Sequence, residues 1–84
     1  MQNKNKEQYI TSDLKLQAFL RTMIPNSFIG INKTGSQKVN FVFRSNDMTI
    51  EFIKGYFAGE KYLLSPQIFG NYIDLGKDLI FGNI

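Results

Sequence analysis

The sequence contains no cysteine, no histidine and no tryptophan, and the first two absences each remove a class of chemistry. Without cysteine there is no disulfide framework and no thiolate ligand for a metal, which fits a reducing compartment. Without histidine, the side chain that most often serves enzymes as a general base is missing. Without cysteine, there is also no thiol nucleophile. We therefore expect a protein that is not an enzyme and that binds no cofactor.

Metal and phosphate chemistry also has little support in the residues that are present. Two carboxylate pairs have the i, i+4 spacing of a helix face, Asp47 with Glu51 and Asp74 with Asp78, and such pairs could share a hard cation. A solvated helix face is the simpler explanation of both pairs. Neither GxGxxG nor GxxxxGK[ST] occurs. We expect no metal site and no nucleotide-binding loop.

Long apolar runs are missing as well. No stretch approaches the roughly 18 apolar residues of a membrane span. The polar start, MQNKNKEQ, is not followed by the apolar segment of a signal peptide. We therefore expect a cytoplasmic protein, or a component of a virion if a phage encodes it, with no membrane partner.

What the chain does have is aromatic bulk and a modest positive charge. Its 84 residues are 43% hydrophobic and include eight Phe and four Tyr, which is enough for one small core. We predict a disordered tail over residues 1–8 and a single domain over residues 9–84. The net charge of +3 comes from ten basic and seven acidic residues, and the basic ones form no run. This charge permits a nucleic-acid partner without requiring one.

The segment from residue 11 to residue 24 has the pattern of an amphipathic helix. Thr11 or Ser12 can cap its start, because a side-chain oxygen accepts from the free first-turn amides, and Asp13 then suits the helix dipole. Pro25 ends it, because the residue before a proline avoids the helical region. Ahead of it, residues 9–11 are either a short strand at the hairpin edge or an extended lead-in. The predicted core stripe is Leu16, Phe19, Leu20 and Met23, whereas Lys15, Gln17 and Arg21 point elsewhere.

Two further helices are predicted near the end of the chain, over residues 48–58 and 66–80. Residues 45–47 offer caps for the first, and Gly59 is its natural C-cap. Ser65 caps the second, and Pro66 takes the first helical position, where its missing N–H costs nothing. Gly82 is predicted to end this helix. The predicted core face of the first helix is Ile50, Ile53 and Phe57, with Met48 and Phe52 nearby. That of the second is Ile68, Tyr72, Leu75 and Leu79, widened by Phe69, Ile73 and Ile80.

The clearest strand, KVNFVFR over residues 38–44, follows a partner strand and a turn at residues 34–37. Gly35 can adopt the positive φ that a hairpin turn needs. A two-residue loop at Gly35–Ser36 and a four-residue loop over residues 34–37 give the same register, in which Lys33 faces Lys38. We therefore predict an α+β domain in which this hairpin is packed by three helices, in the order (β)-α-β-β-α-α.

This register assigns the hairpin residues to two faces. The predicted core face carries Phe28, Gly30, Asn32, Val39, Phe41 and Phe43, and the missing side chain of Gly30 leaves room for the Phe41 ring. The opposite face is predicted to bind a partner. It consists of Ile29, Ile31, Lys33, Lys38, Asn40, Val42 and Arg44.

The character of this second face suggests its partner. An aliphatic patch with a basic rim favours a protein partner or self-association, so we expect a small non-enzymatic binding module with an interaction or structural role. Sheets that bind single-stranded nucleic acid stack bases on aromatic rings, and here the rings point inward. A nucleic-acid-binding accessory protein remains the alternative, with Lys33, Lys38 and Arg44 on phosphates. If the third helix or the N-terminal segment covers this face, the face belongs to the core and is not a binding surface.

Three strings stand out along the chain: YITSDLKLQAFL, then FVFR closing the hairpin after a Gly turn, then SPQIFGNYIDLGKDLIF. Together they resemble an uncharacterised family of short, single-domain bacterial and phage proteins known only as a domain of unknown function. The similarity covers about residues 9–81, and Pro25 and Asn26 depart from it where such proteins often have a Gly. The resemblance implies no activity and no catalytic residues, and it points to a phage or mobile element as the source. The matching positions are Tyr9, Thr11, Ser12, Asp13 and Leu14, then Leu16, Ala18, Phe19 and Leu20, then Val39, Phe41, Val42 and Phe43, then Phe69, Leu75, Leu79 and Phe81.

Overall fold

The computed structural model describes residues 8–34 and 38–81, which form three antiparallel strands, three α-helices and one short 3-10 turn. The predicted α+β class and the order β-α-β-β-α-α are confirmed, and the first strand is present. The elements are β1 (Gln8–Thr11), α1 (Leu14–Met23), the 3-10 turn (Pro25–Ser27), β2 (Phe28–Thr34), β3 (Lys38–Arg44), α2 (Asp47–Ala58) and α3 (Pro66–Phe81).

The first strand begins inside the predicted disordered tail. Gln8 was assigned to a disordered tail over residues 1–8, but it is the first residue of β1 and pairs with Arg44. The rest of the predicted tail lies outside the described residues, as does the predicted helix stop at Gly82.

The strand order is β1-β3-β2, so β3 lies in the middle of the sheet and one of its faces forms the core. Phe41 and Phe43 on this inner face have no exposed surface, and the fully buried Leu16 and Leu20 of α1 belong to the same cluster. Alternation along β3 therefore places its aromatic side chains under the helices, as predicted. The side chains between them belong to the opposite, outer face.

The cap of helix α1 lies one or two residues later than the sequence indicated. Its N-cap is Asp13, whose carboxylate accepts from the backbone N–H of Leu16 at 3.0 Å, and not Thr11 or Ser12. The Thr11 hydroxyl instead accepts from the backbone N–H of Asp13 at 3.0 Å, which fixes the approach to the cap. The carboxylate satisfies an amide that the first helical turn would otherwise leave free.

Gln17 was predicted to point away from the core and is in fact fully buried. It lies where α1 packs against α3, and its Nε2 donates to the backbone carbonyl of Tyr72 at 2.9 Å. Gly76 of α3 is buried beside it. A polar side chain on an otherwise apolar helix face thus marks the contact between two helices.

The starts of the two later helices and the end of α2 agree with the sequence prediction. Asn46 caps α2, because its side-chain oxygen accepts from the backbone N–H of Thr49 at 3.0 Å. Ser65 caps α3 in the same way, because its hydroxyl accepts from the backbone N–H of Ile68 at 3.2 Å. Gly59 ends α2 with a φ of 80°, the left-handed conformation expected of a glycine C-cap.

The core faces of these two helices were only partly predicted. In α2, Phe52, Ile53 and Tyr56 pack against the core, but Ile50 and Phe57 are exposed. In α3, the residues packed against the core are Phe69, Leu79 and Ile80, whereas Ile68 and Leu75 of the predicted stripe are about half exposed.

Tyr9 of β1 and Tyr56 of α2 both pack against the core. Burial raises the pKa of each phenol above its ordinary value of 10.0, and the negative charge of Asp13 raises the pKa of both further. The folded protein therefore holds these two protons at a pH where the unfolded chain has lost them. The stability that the two phenols contribute is present below pH 10 and is lost as the pH rises through their folded values.

The double variant Tyr9→Phe/Tyr56→Phe is expected to lose less stability than the wild type between about pH 9 and about pH 11. Phenylalanine keeps the ring but has no proton to release. Urea unfolding at several pH values measures the slope for both proteins. Lysine titration affects both alike, so identical slopes would contradict the role assigned to these phenols.

Candidate interaction surface

Strands β2 and β3 pair in two registers separated by a β-bulge. Two residues of the bulged strand oppose a single residue of its partner, and Ile29 is the extra residue. The pairs are Thr34 with Lys38, Lys33 with Val39, Asn32 with Asn40, Ile31 with Phe41 and Gly30 with Val42, followed beyond the bulge by Phe28 with Phe43.

The predicted register is therefore wrong by one residue on the turn side of the bulge and correct at Phe28. The strand ends leave three residues, 35–37, between β2 and β3, whereas a two- or a four-residue loop was predicted. An odd number of loop residues shifts the pairing by one place, and the bulge at Ile29 removes the shift. The loop itself lies outside the described residues.

The shift divides the predicted partner-binding set. Ile31 and Lys33 pair with Phe41 and Val39, so they belong to the inner face at the edge of the sheet. Gly30 joins the outer face, so it does not make room for the Phe41 ring, and no atom lies within 4 Å of where its Cβ would be. Of the seven predicted residues, Asn40, Val42 and Arg44 keep their predicted face, and Ile29 occupies the bulge. The side chain of Lys38 is outside the described part of the structure.

A short apolar row crosses the outer face. The register aligns Ile10 of β1, Val42 of β3 and Gly30 of β2, with Ile29 adjacent in the bulge. Val42 in the middle is 8% exposed, whereas Ile10 and Ile29 are 48% and 47% exposed. No element among residues 8–34 and 38–81 covers these two isoleucines to the extent of a core residue. The predicted alternative was that the third helix or the N-terminal segment covers this face. Helix α3 packs mainly on α1, and the described part of the N-terminal segment pairs with β3 as the edge strand β1. Residues 1–7 of that segment lie outside the described residues.

Polar residues border this row on both sides. Gln8 pairs with Arg44 along one side, and Asn40 pairs with Asn32 along the other. Apart from Asn40, which is half-buried, these residues are exposed. The surface formed by Ile10, Ile29, Val42, Asn40 and Arg44 is called the outer patch below.

Sequence reasoning missed Ile10 as a member of this surface. The sequence offered residues 9–11 as a possible edge strand, and in a strand the neighbours Tyr9 and Ile10 point to opposite faces. What the sequence did not show is that β1 pairs with β3, so that Ile10 lies beside Val42.

The two edges of the sheet are less suited to contacts than its outer face. β1 is only four residues long, and β2 carries both a bulge and the exposed Lys33. Short edge strands, bulges and edge lysines are the features by which proteins prevent strands from adding to a sheet.

Ile31 borders a second apolar region, a groove of about 320 Å³ between β2 and α3. Arg21 lies in it with its guanidinium 3.9 Å from the centre of the Phe28 ring and 4.5 Å from that of Tyr72. Burial lowers the pKa of Arg21. The stacked guanidinium covers aromatic surface that the short sheet leaves open.

A cavity of about 360 Å³ lies at one end of the sheet, where α1 and β3 end and α2 begins. Its walls are set by short hydrogen bonds. The Ser27 hydroxyl donates to the Ile24 carbonyl at 2.7 Å, and the Thr49 hydroxyl donates to the Arg44 carbonyl at 2.7 Å. Met23 and Met48 both line the cavity, and Arg44 is the one charged residue among its nine described lining residues.

Asp47 and Glu51 lie on α2, and Asp74 and Asp78 lie on α3. Over the part of the sequence that the structure describes, no three acidic residues come close enough together to hold a metal ion. In the same part, no helix has the length and apolar character that crossing a membrane requires.

The chain was compared with family models, with curated proteins and with solved structures, and none of the three comparisons found a match.

Proposed function

We propose that this protein is a small non-enzymatic binding module that contacts a protein partner, or a second copy of itself, through the outer patch. The observation that carries the proposal is the apolar row across the open sheet face, in which two isoleucines at the flanks of Val42 are about half exposed. Apolar surface that is contiguous and bordered by polar groups is typical of protein interaction sites.

The absence of enzymatic activity is part of the proposal and rests on the sequence. With no histidine or cysteine in 84 residues, general-base and thiol chemistry would need a carboxylate, lysine or tyrosine in their place. The resemblance to an uncharacterised bacterial and phage family, and with it a virion or cytoplasmic location, stays a prediction.

The nucleic-acid alternative is less favoured by the observed register. It required Lys33, Lys38 and Arg44 on one face, but Lys33 pairs with Val39 of the inner face and Arg44 pairs with Gln8 of the outer one. Phosphate contacts alone are sequence-independent and benefit from clustered charge, whereas Lys33 and Arg44 lie on opposite faces of the sheet.

Replacing Ile10 by Glu is expected to abolish the interaction while leaving the fold intact. A carboxylate within an apolar contact must lose its hydration without gaining a partner, which weakens binding by about tenfold or more. The matched control is Ile68→Glu on α3, because Ile10 and Ile68 are each 48% exposed. Analytical ultracentrifugation measures self-association, and affinity capture from the native host identifies another protein partner.

The proposal requires that Ile68→Glu behaves as the wild type in both measurements. Equal behaviour of all three proteins, whether all bind or none does, would contradict an interaction through the outer patch. Urea unfolding of each variant separates a lost interaction from a lost fold.

A further inference from the structure

The cavity at the end of the sheet combines one cationic side chain with a flexible apolar lining. Met23, Ile24 and Met48 supply the apolar part, and two of the three are methionines, whose unbranched side chains adapt to different ligands. Its volume of about 360 Å³ lies within the range of ligand sites in proteins. The cavity is therefore large enough for one apolar side chain with the backbone attached to it.

The single charge in this lining selects the ligand. Arg44 presents a planar guanidinium that can bind a carboxylate through two parallel hydrogen bonds. Asp47 is the nearest acidic residue in sequence, but it is not among the residues that line the cavity. An anion with an apolar group beside it is consequently complementary to this site.

Two amides favour a peptide over a free small acid. Asn26 and Asn46 line the cavity. The Asn26 amide can bond to both the N–H and the C=O of a peptide backbone, and the Asn46 amide, whose oxygen caps α2, can donate to a C=O. Arg44 also borders the outer patch, so a chain lying on that patch reaches the cavity without crossing the helices. We propose that the cavity binds the C-terminal residue of a partner polypeptide, with the free carboxylate on Arg44 and an apolar last side chain between Met23 and Met48.

The inference rests on the proposed function as an interaction module. Its test measures the NMR signals of the two cavity methionines and does not depend on the Ile10→Glu variant. The sequence has three methionines, and two of them line the cavity. Protein labelled with carbon-13 on the methionine methyl groups therefore gives two reporter signals, assigned with Met23→Leu and Met48→Leu. The probe is the pentapeptide Ser-Gly-Ser-Gly-Leu, prepared as the free acid and as the C-terminal amide.

The free acid is expected to shift the signals of Met23 and Met48 saturably at millimolar concentration, and the amide is not. Arg44→Gln is expected to weaken binding roughly tenfold, because a hydrogen-bonded ion pair is lost. Lys77→Gln, which makes the same change in net charge on the exposed side of α3, is expected to leave binding unchanged.

Three results would overturn the inference: methyl signals that do not move with either peptide, equal binding of acid and amide, or equal binding of isocaproate, which carries the same apolar group and carboxylate without a peptide. If the Ile10→Glu experiment succeeds and this one fails, the outer patch stands and the cavity has no role in it. If the opposite occurs, the cavity is a peptide site independent of the patch.

Discussion

Replacing Phe41 by Ala is expected to leave the protein unfolded or nearly so. Phe41 has no exposed surface and lies in the central strand, in register with Thr11 on one side and Ile31 on the other. Truncating a buried phenylalanine costs about 3–5 kcal/mol, whereas an entire domain is stable by only about 5–15 kcal/mol. In a chain of 84 residues, which buries a small core, the loss approaches the whole free energy of unfolding.

Phe57→Ala is the matched control, because Phe57 is the same residue type but is 65% exposed on α2. Its ring contacts Tyr56 with the ring centres 5.3 Å apart, so a small loss of about 0.5–1 kcal/mol is expected. Urea unfolding followed by circular dichroism compares the two variants. Similar losses for Phe41→Ala and Phe57→Ala would show that the sheet face assigned to the core is wrong.

The elements of this fold could be predicted because their signals are local. The cap residue Asn46, the Ser65–Pro66 start of α3 and the glycine C-cap at Gly59 each act on amides or carbonyls within a few residues. The alternation of Phe41 and Phe43 likewise needs no knowledge of distant parts of the chain. The starts of α2 and α3, the end of α2 and the core side of β3 were therefore available from the sequence, whereas the cap of α1 was not.

The hairpin register could not be predicted, because it depends on how many residues the turn uses and on where a bulge absorbs the difference. Both loop lengths that were considered are even, and the strands leave an odd number of residues between them. A shift of one residue reverses the faces of a strand, which is why Ile31 and Lys33 left the predicted site. Because Phe28 and Phe43 still pair as predicted, the aromatic core was unaffected by the error.

The orientation of the helices was hard to predict for a different reason. Each of α2 and α3 is apolar over more of its circumference than its neighbours can cover, so hydrophobic periodicity allows several orientations. The orientation of α3 is set by Gly76, whose missing side chain lets the helix pack closely against α1. Because a glycine adds no apolar side chain, it contributes nothing to the hydrophobic pattern from which helix orientation is predicted. The same fit explains why Gln17, a polar residue, is fully buried.

The contact between α1 and α3 depends on the absence of a side chain at Gly76. A Cβ at this position would lie 2.5 Å from Cδ1 of Leu14 and 2.6 Å from Nε2 of Gln17. Leu14 is only partly buried and can turn away, but Gln17 is fully buried and its Nε2 donates to the Tyr72 carbonyl. Moving Gln17 breaks that hydrogen bond, and its Oε1 already has no protein partner among the described residues.

Gly76→Ala is therefore expected to destabilise the protein by about 1–2 kcal/mol, the cost of overpacking less the gain in helix propensity. The control, Gly70→Ala in the same helix, is expected to stabilise it by about 0.5–1 kcal/mol, because nothing lies within 4 Å of the added Cβ. Urea unfolding measures both free energies. The opposite signs are the diagnostic result, since helix propensity alone predicts that both variants gain stability.

A double-mutant cycle with Gln17→Ala locates the cause of the loss. Removing the amide takes away the buried group that the new methyl would displace, so Gly76→Ala is expected to become neutral or stabilising in that background. The coupling free energy should then be at least about 1 kcal/mol. If Gly76→Ala is equally destabilising with and without Gln17, the contact with Gln17 does not set the α1–α3 spacing. The overlap with Leu14 would then be the remaining cause, and a cycle with Leu14→Ala would show it as the same coupling.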